Sequence, residues 1–315
     1  MPCLAMHLAI AKKYTEKHPE EKIDFIKGTI APDISEDKKE SHYGDKMVSE
    51  DPIEYLKKKV NLVKFLENNT INSNYDRAYF LHLICDKIFY NEIMESGTLE
   101  GKGYEEIRSA FINDYNRITT YLIEKYQLEV PSEIEKIIST KCEGELEILD
   151  IKKIEEFIER MANIDLEQFG DETYMRAALE EAKTAYQVNE VPIGAVIVKD
   201  GKIIAKGHNE KEKTQDVTKH AEITAIQDAS KYLNNWRLNE CTMYVTLKPC
   251  NMCTGAISQS RIKRVVIGTL YESLGSTESH GVGVCDFDEK TEVTIGILEN
   301  ECRSILQEFF KELRK

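Results

Sequence analysis

The 315-residue chain has no basic surplus, no long apolar run and no dense cysteine framework. Its 42 Lys+Arg stand against 56 Asp+Glu, a formal net charge of −14, so the basic footprint of a nucleic-acid-binding protein is absent from the chain as a whole. No stretch approaches the roughly 18 uninterrupted apolar residues of a membrane span. The apolar opening Cys3–Ile10 is short, contains His7 and lacks a basic leading region, so it does not read as a secretory signal. Eight cysteines spread over this length are not the framework of a secreted disulfide scaffold, and a reducing cytoplasm is the expected compartment. Internal repeats and low-complexity tracts are missing too.

What is present divides into two halves. At this length about two domains of roughly 150 residues are expected, and we place the boundary at 165/166. The charge is uneven: residues 171–315 hold 19 Lys+Arg against 22 Asp+Glu, net −3, which leaves −11 for the rest. The first half has the apolar spacing of helices over 53–66, 75–94, 104–126 and 151–161. Breaks are expected at Gly28–Asp33, Asn68–Asn74 and Gly97–Gly103, and residues 131–150 are acidic and weakly patterned. An all-α N-terminal domain follows. The second half alternates instead. Helix is expected over 171–187, strand over 193–198, a hairpin turn at Asp200-Gly201 and strand over 202–206. Helix 220–232, strand 242–247, a helix from Asn251, strands 264–268 and 292–297, and helix 299–313 complete an α/β domain with a partly parallel sheet.

Two short motifs in that half carry chemistry. His220-Ala221-Glu222 opens one helix, and Pro249-Cys250-Asn251-Met252-Cys253 opens another just after a strand. A Cys-x-x-Cys pair alone is equally a structural zinc site or a redox pair. One imidazole with two thiolates gives three ligands suited to Zn2+ and leaves a fourth tetrahedral position for water, whose pKa zinc lowers. Both motifs sit at helix starts, where the backbone N–H groups and the helix dipole favour thiolates. Glu222, two residues past His220, is placed to shuttle a proton without ligating. H-x-E…P-C-x-x-C is the known signature of zinc deaminases.

Residues 171–315 resemble the cytidine deaminase-like superfamily, and most of all the bacterial tRNA adenosine deaminases. The similar segments include Glu190-Val-Pro-Ile-Gly-Ala-Val196, Gly207-His-Asn209, His220-Ala-Glu-Ile223, Tyr244-Val-Thr-Leu247, Pro249–Cys253 with Gly255-Ala256, and Glu301-Cys302…Phe309-Phe310. The resemblance implies a five-stranded mixed sheet flanked by helices and hydrolysis of adenosine to inosine at the tRNA wobble position. It further implies that His220, Cys250 and Cys253 hold zinc, that Glu222 is the general acid/base, and that the Ala221 backbone N–H and Asn209 meet the substrate. An Asn in a Gly-His-Asn turn is also a common turn former. At least one of Phe309 and Phe310 is expected in the core, and Trp236 in the core or an interface. A tRNA anticodon arm is the implied partner, met in part by the basic end Lys311, Arg314 and Lys315. A homodimer is expected through this domain. Two departures favour a free base or nucleoside (cytosine, guanine or cytidine) as the alternative substrate. Lys248 stands where the tRNA enzymes usually carry Glu, and the loop 270–288 lacks their usual Lys-Thr-Gly-Ala-Ala-Gly-Ser run.

The N-terminal half carries Met6-His7, Pro32-Asp33, Ser41-His42 and His82-x-x-x-Asp86. His82 and Asp86, four apart on a helix, share a face and can chelate one ion. Histidine and carboxylate without thiolate suit zinc or a harder divalent metal. In this order the motifs resemble the zinc-dependent phospholipase C-like helical family, which implies a possible second metal site of His7, Asp33, His42, His82 and Asp86. The histidines that complete that family's polymetal site are missing, and Glu92 and Glu106 stand near where they would fall. Non-catalytic binding is the alternative to hydrolysis for this half.

Overall fold

A computed structural model describes residues 4–19, 22–44, 60–95, 101–132, 134, 146–271 and 287–314. By its internal contacts the chain divides into two compact units, Met1–Phe65 with Ile71–Leu166, and Leu66–Thr70 with Glu167–Lys315.

Among the described residues the regular structure of the first unit is all helix: α1 Leu4–Lys17, α2 Lys22–Ile34, α3 Lys38–Ser41, α4 Leu62–Asn68 (whose last residues fall in the second unit), α5 Asn74–Glu95, α6 Tyr104–Tyr126 and α7 Ile151–Met161. The expected helices at 75–94, 104–126 and 151–161 are there. Residues 53–59 of the expected helix 53–66 lie outside the described residues, as do 135–145. The core gathers Met6, Ile10, Phe25, Leu81, Phe89, Leu122, Phe157 and Ile158. The break expected at Gly28–Asp33 is wrong, because α2 runs straight through it with Pro32 inside the helix. Proline costs the N–H that would bond the Gly28 carbonyl, but packing outweighs that loss. A Cβ at Gly28 would lie 2.2 Å from Tyr75 O on α5, so the glycine allows α2 and α5 to approach closely.

The second unit follows the expected alternation: α8 Leu166–Gln187, β1 Gly194–Lys199, β2 Lys202–His208, α9 Lys211–Thr214, α10 Ala221–Leu233, β3 Cys241–Leu247, α11 Asn251–Gln259, β4 Arg264–Thr269, β5 Glu292–Ile295 and α12 Glu299–Leu313. Three boundaries differ by two residues or more, and one element is additional: β2 runs two residues past 206, to His208. Helix α8 starts five residues before 171, since one glycine, Gly170, costs a helix only about 1 kcal/mol. Strand β5 stops at Ile295 because Gly296 turns out of it at φ +96°. The short turn α9 had no periodic signal. The five strands lie in the order β2-β1-β3-β4-β5. Strand β1 pairs antiparallel with β2 and β3, while β3–β4 and β4–β5 are parallel, so the sheet is mixed. Asp200 and Gly201, both at positive φ, make the hairpin turn. Tyr244 donates to Asp171 at 2.7 Å and Arg264 grips the same carboxylate with two nitrogens at 2.9 and 2.6 Å, fixing α8 to the sheet. Phe309 is buried on α12, whereas Phe310 is 37% exposed and Trp236 is 52% exposed with Arg237 stacked over it, so Trp236 is not core. Among the described residues no helix is long and apolar enough to cross a membrane.

Candidate active site

Parallel strands β3 and β4 end side by side, with Leu247 in register with Thr269. Ligands of α/β sheets gather beyond such carboxyl ends. The chain leaves β3 through Lys248 and Pro249 and enters α11 with Cys250 as its N-cap. Helix α10 begins nearby with His220 as its N-cap. These two helix starts bring one imidazole and two thiols together from residues 30 and 33 positions apart.

His220 Nδ1 lies 3.6 Å from Cys250 Sγ and 3.5 Å from Cys253 Sγ. Nitrogen and sulfur bound tetrahedrally to one zinc ion at usual bond lengths would be separated by about 3.6 Å. The donor spacing and the donor chemistry therefore both fit zinc, and all three ligand atoms lie within 4.8 Å of one another. Hydrogen bonds from Cys253 and His220 pull the Cys250 thiol down to about 4, ready to serve as thiolate. The same bond to Cys250, with burial, pushes Cys253 up. The Cys250 partnership likewise raises His220. Glu222, in the first turn of α10, is 4% exposed, and burial raises its carboxyl so that it holds a proton more readily. Half-buried Tyr271, just past β4, is pushed up by burial and then by the charges of Glu222, Cys250 and Cys253.

Asn209 is 6% exposed, and its Oδ1 accepts the Ala221 N–H at 3.0 Å. The two groups expected at the substrate are thus paired with each other, one fixing the other beside Glu222. Residues 272–286, most of the divergent loop, lie outside the described residues.

A second polar cluster lies within the helical unit. His7 from α1, Asp33 from α2, His42 just after α3, and His82 and Asp86 from α5 are all at most 7% exposed. The structure brings all five together. His7 Nε2 lies 3.1 Å from Asp86 Oδ1, His42 Nε2 lies 3.3 Å from Asp86 Oδ2 and 3.9 Å from Asp33 Oδ1, and the His7 and His82 rings stack at 3.8 Å. Two overlapping sets, His7–Asp33–His82 and His42–His82–Asp86, have metal-ligand spacing. His82 Nδ1 donates to Thr29 O at 2.8 Å, which leaves Nε2 with a lone pair. His42 Nδ1 lies 3.0 Å from the Ser41 hydroxyl, which donates to Pro32 O at 2.9 Å, and this contact turns His42 Nε2 towards His82 Nε2. Those two nitrogens face each other at 3.3 Å. Asp33 Oδ1 and Asp86 Oδ2 are buried without a hydrogen-bond partner among the described residues. Two buried carboxylates thus stand against three buried imidazoles, a donor set that suits a divalent cation. Sequence reasoning missed Thr29 and Ser41 as the groups orienting these histidines. Glu92 and Glu106 are not part of the cluster: Glu92 pairs with Arg160 and Glu106 with Lys102 at the surface, because neither faces the core.

Comparison with known proteins bears on the second unit. The family described as MafB19-like deaminase matches residues 169–314. A tRNA-specific adenosine deaminase of Bacillus subtilis (strain 168) is 45% identical over 148 residues, which covers 46% of this chain and 91% of that protein. One from Streptococcus pyogenes serotype M18 is 40% identical over 148 residues, covering 46% and 93%. A solved tRNA:A34 deaminase is 38% identical, covers 42% of this chain and 98% of its own, and has a TM-score of 0.37. With nine-tenths of the Bacillus enzyme matched at this identity, the chain belongs to the cytidine deaminase-like family of hydrolytic deaminases, and residues 169–314 are its deaminase unit.

Proposed function

We propose that this enzyme deaminates adenosine to inosine at the wobble position of tRNA. The observation carrying the reading is the 45% identity to a tRNA-specific adenosine deaminase across the unit that holds the His220, Cys250 and Cys253 cluster. In this reading His220, Cys250 and Cys253 hold zinc. When bound, the ion would lower the pKa of a water and supply it as the nucleophile. Water adds at purine C6 and ammonia leaves: one water proton ends on N1 of the product base and the other must pass to the departing amine. Glu222, buried and with its carboxyl raised, takes that proton and delivers it. Asn209, anchored on the Ala221 N–H, orients the target nucleoside, which must be flipped out of its stack. The anticodon arm is bound through local charge, including the basic end of α12. The protein works in the cytoplasm as a homodimer formed through the deaminase unit.

A second reading, a free base or nucleoside as substrate, rests on Lys248, half-buried immediately before Pro249 and Cys250. One panel separates the two: an anticodon stem-loop with adenosine at position 34, free adenosine, cytidine, cytosine and guanine, each assayed for released ammonia. The RNA reading requires inosine in the stem-loop at a kcat/KM at least about 100-fold above every free compound. Equal or better turnover of a free base overturns it.

For the first half we propose a helical domain at 1–165, similar to the phospholipase C-like family, that binds a divalent metal through His7, Asp33, His42, His82 and Asp86 without hydrolase activity. The 3.3 Å approach of His42 Nε2 to His82 Nε2 among the buried Asp33 and Asp86 carboxylates supports it. Metal analysis of the purified chain tests it: more than one equivalent per chain, with the excess surviving Cys253→Ala, is the expected result.

A further inference from the structure

The segment joining β2 to α10, residues 209–220, carries a substrate-binding candidate at one end and a zinc-binding candidate at the other. It closes on itself. Glu210 N–H donates to Lys219 O at 3.1 Å, Asp216 accepts from the Thr218 N–H and hydroxyl at 2.8 and 2.7 Å, and His220 N–H donates to Thr218 O at 2.8 Å. Asn209 ties the near end to the fold, its N–H donating to Ile193 O at 3.2 Å and its Oδ1 accepting from Ala221. The middle of the segment, the single turn α9, is solvent-exposed and makes no cap of its own.

That middle is held by Glu190. Its Oε1 accepts the Lys213 N–H at 2.7 Å, and the residue is 1% exposed. Glu190 is itself rooted: its N–H bonds Ala185 O at the end of α8, and Asn189 before it takes the left-handed conformation at φ 61°. A carboxylate is an expensive group to bury, and among the described residues no cation pairs with Glu190. A leucine there would pack at less cost but would leave the Lys213 N–H without an acceptor. The burial is spent on fixing a loop that packing alone does not fix.

We propose that Glu190 is a positioning residue of the deaminase: by gripping the Lys213 N–H it holds the 209–220 segment so that Asn209 keeps its place beside the substrate. The proposal rests on deaminase chemistry at this site and not on which nucleoside is the substrate. Its effect falls mainly on substrate binding. His220 has two thiol partners of its own, whereas Asn209, held by its bonds to Ile193 O and the Ala221 N–H, begins the segment that Glu190 fixes. Misplacing a positioning group by about 1 Å costs up to about 100-fold in rate.

The test uses the full zinc-loaded chain and two substitutions, Glu190→Leu and Glu190→Gln. Leucine keeps volume and loses the acceptor; glutamine keeps the acceptor and loses the charge. Steady-state kinetics on the substrate the wild type turns over best should show KM raised about tenfold in E190L with kcat within about threefold, and E190Q close to wild type. Zinc content should stay at the wild-type value. Hydrogen exchange supplies a readout independent of activity: the amides of 210–219 should open faster in E190L while those of α10 do not change. If E190L does not fold, Lys213→Pro removes the same donor from the other side and should show the same KM shift. The proposal is overturned by an unchanged KM and unchanged exchange in the folded variant. It is equally overturned by E190Q behaving as E190L, or by a fall in thermal stability and kcat at constant KM. A wild type that prefers a free base to the stem-loop would sink the RNA reading and leave this test standing on that base.

Discussion

The molecule holds two histidine clusters built on opposite plans. The deaminase cluster takes three donors from the N-caps and first turns of two helices, with His220 and Cys250 only half-buried. The helical unit takes five donors from four separate segments spread over 80 residues and buries every one of them. The first arrangement leaves a face open, and Glu222 stands at that face with a carboxyl that burial makes easier to protonate. The second encloses its donors, and two of its carboxylate oxygens have no partner among the described residues. Exposure is what a substrate needs. Enclosure is what a structural ion needs, because a cation among buried acceptors offsets the cost of burying them. The contrast separates the proposed reactive centre from the proposed structural site by access rather than by ligand type.

The sharpest way to break this contrast is Glu222→Gln. If the open cluster does the chemistry, the substitution lowers kcat by about 100-fold to 10,000-fold. Zinc stays bound, since Glu222 is not one of its three holders, and the melting of the helical unit does not move. Ammonia release, metal analysis and calorimetry on one preparation check all three. Full activity in E222Q would mean that the proton travels by another route.

The enclosed cluster predicts a loss of stability with little loss of chemistry. Chelation should lower the melting temperature of the helical unit, because an ion that binds only the folded form at 100 times its Kd contributes about 2.7 kcal/mol. Asp86→Asn should weaken the metal and make that unit indifferent to the chelator, while deamination by the zinc-loaded second unit stays within about threefold of wild type. The sign of the variant's effect in chelated protein is informative. Without an ion, Asp86 still meets His7 and His42 at 3.1 and 3.3 Å. Against the upward push of burial, the charges and hydrogen bonds of His82, His42 and His7 hold its carboxyl well below the usual carboxylate range, so D86N should destabilise the chelated unit too. Unchanged or raised stability of D86N after chelation would mean that the Asp86 contacts to His7 and His42 do not hold the helices together without an ion.

The two clusters also differ in how far sequence reveals them. His-x-Glu and Pro-Cys-x-x-Cys are short, and each belongs to one helix start. The deaminase unit was therefore legible almost to the residue, including all five strands. The exceptions were set by single positions, such as Gly296 ending β5 and the unpatterned turn α9 held from outside by Glu190. In the helical unit only His82 and Asp86 share a helix. The other three donors reach them through tertiary packing that no periodicity encodes. Their gathering was legible as an ordered set of motifs, but the surface placement of Glu92 and Glu106 was not, since proximity in sequence says nothing of which helix face turns inward. Pro32 misled for the same reason. It breaks helices in isolation, and only the close contact of Gly28 with Tyr75 O shows why α2 continues.

That contact gives the smallest of the tests, and it again sets the two units against each other. Gly28 and Gly255 both lie inside helices, so in each case alanine should gain up to about 1 kcal/mol of backbone entropy and helix propensity. At Gly255 on α11 nothing lies within 4 Å of the added carbon. Gly255→Ala should therefore raise the stability of the deaminase unit by about 0.5–1 kcal/mol. At Gly28 the carbon would meet Tyr75 O at 2.2 Å and Ala78 Cβ at 2.9 Å. Backbone oxygen cannot swing aside as a side chain can, so α2 and α5 must separate, and overpacking of this kind costs about 1–3 kcal/mol. The net effect of Gly28→Ala is destabilising. Because Asp33 rides on α2 and His82 and Asp86 on α5, it should also weaken the metal of the helical unit. Denaturant melts of the two variants, with metal affinity measured alongside, give opposite signs if helix packing positions the enclosed cluster. A gain in stability from G28A equal to that from G255A would show that the two helices are free to move apart, and that the five donors are not held by the packing that brings them together.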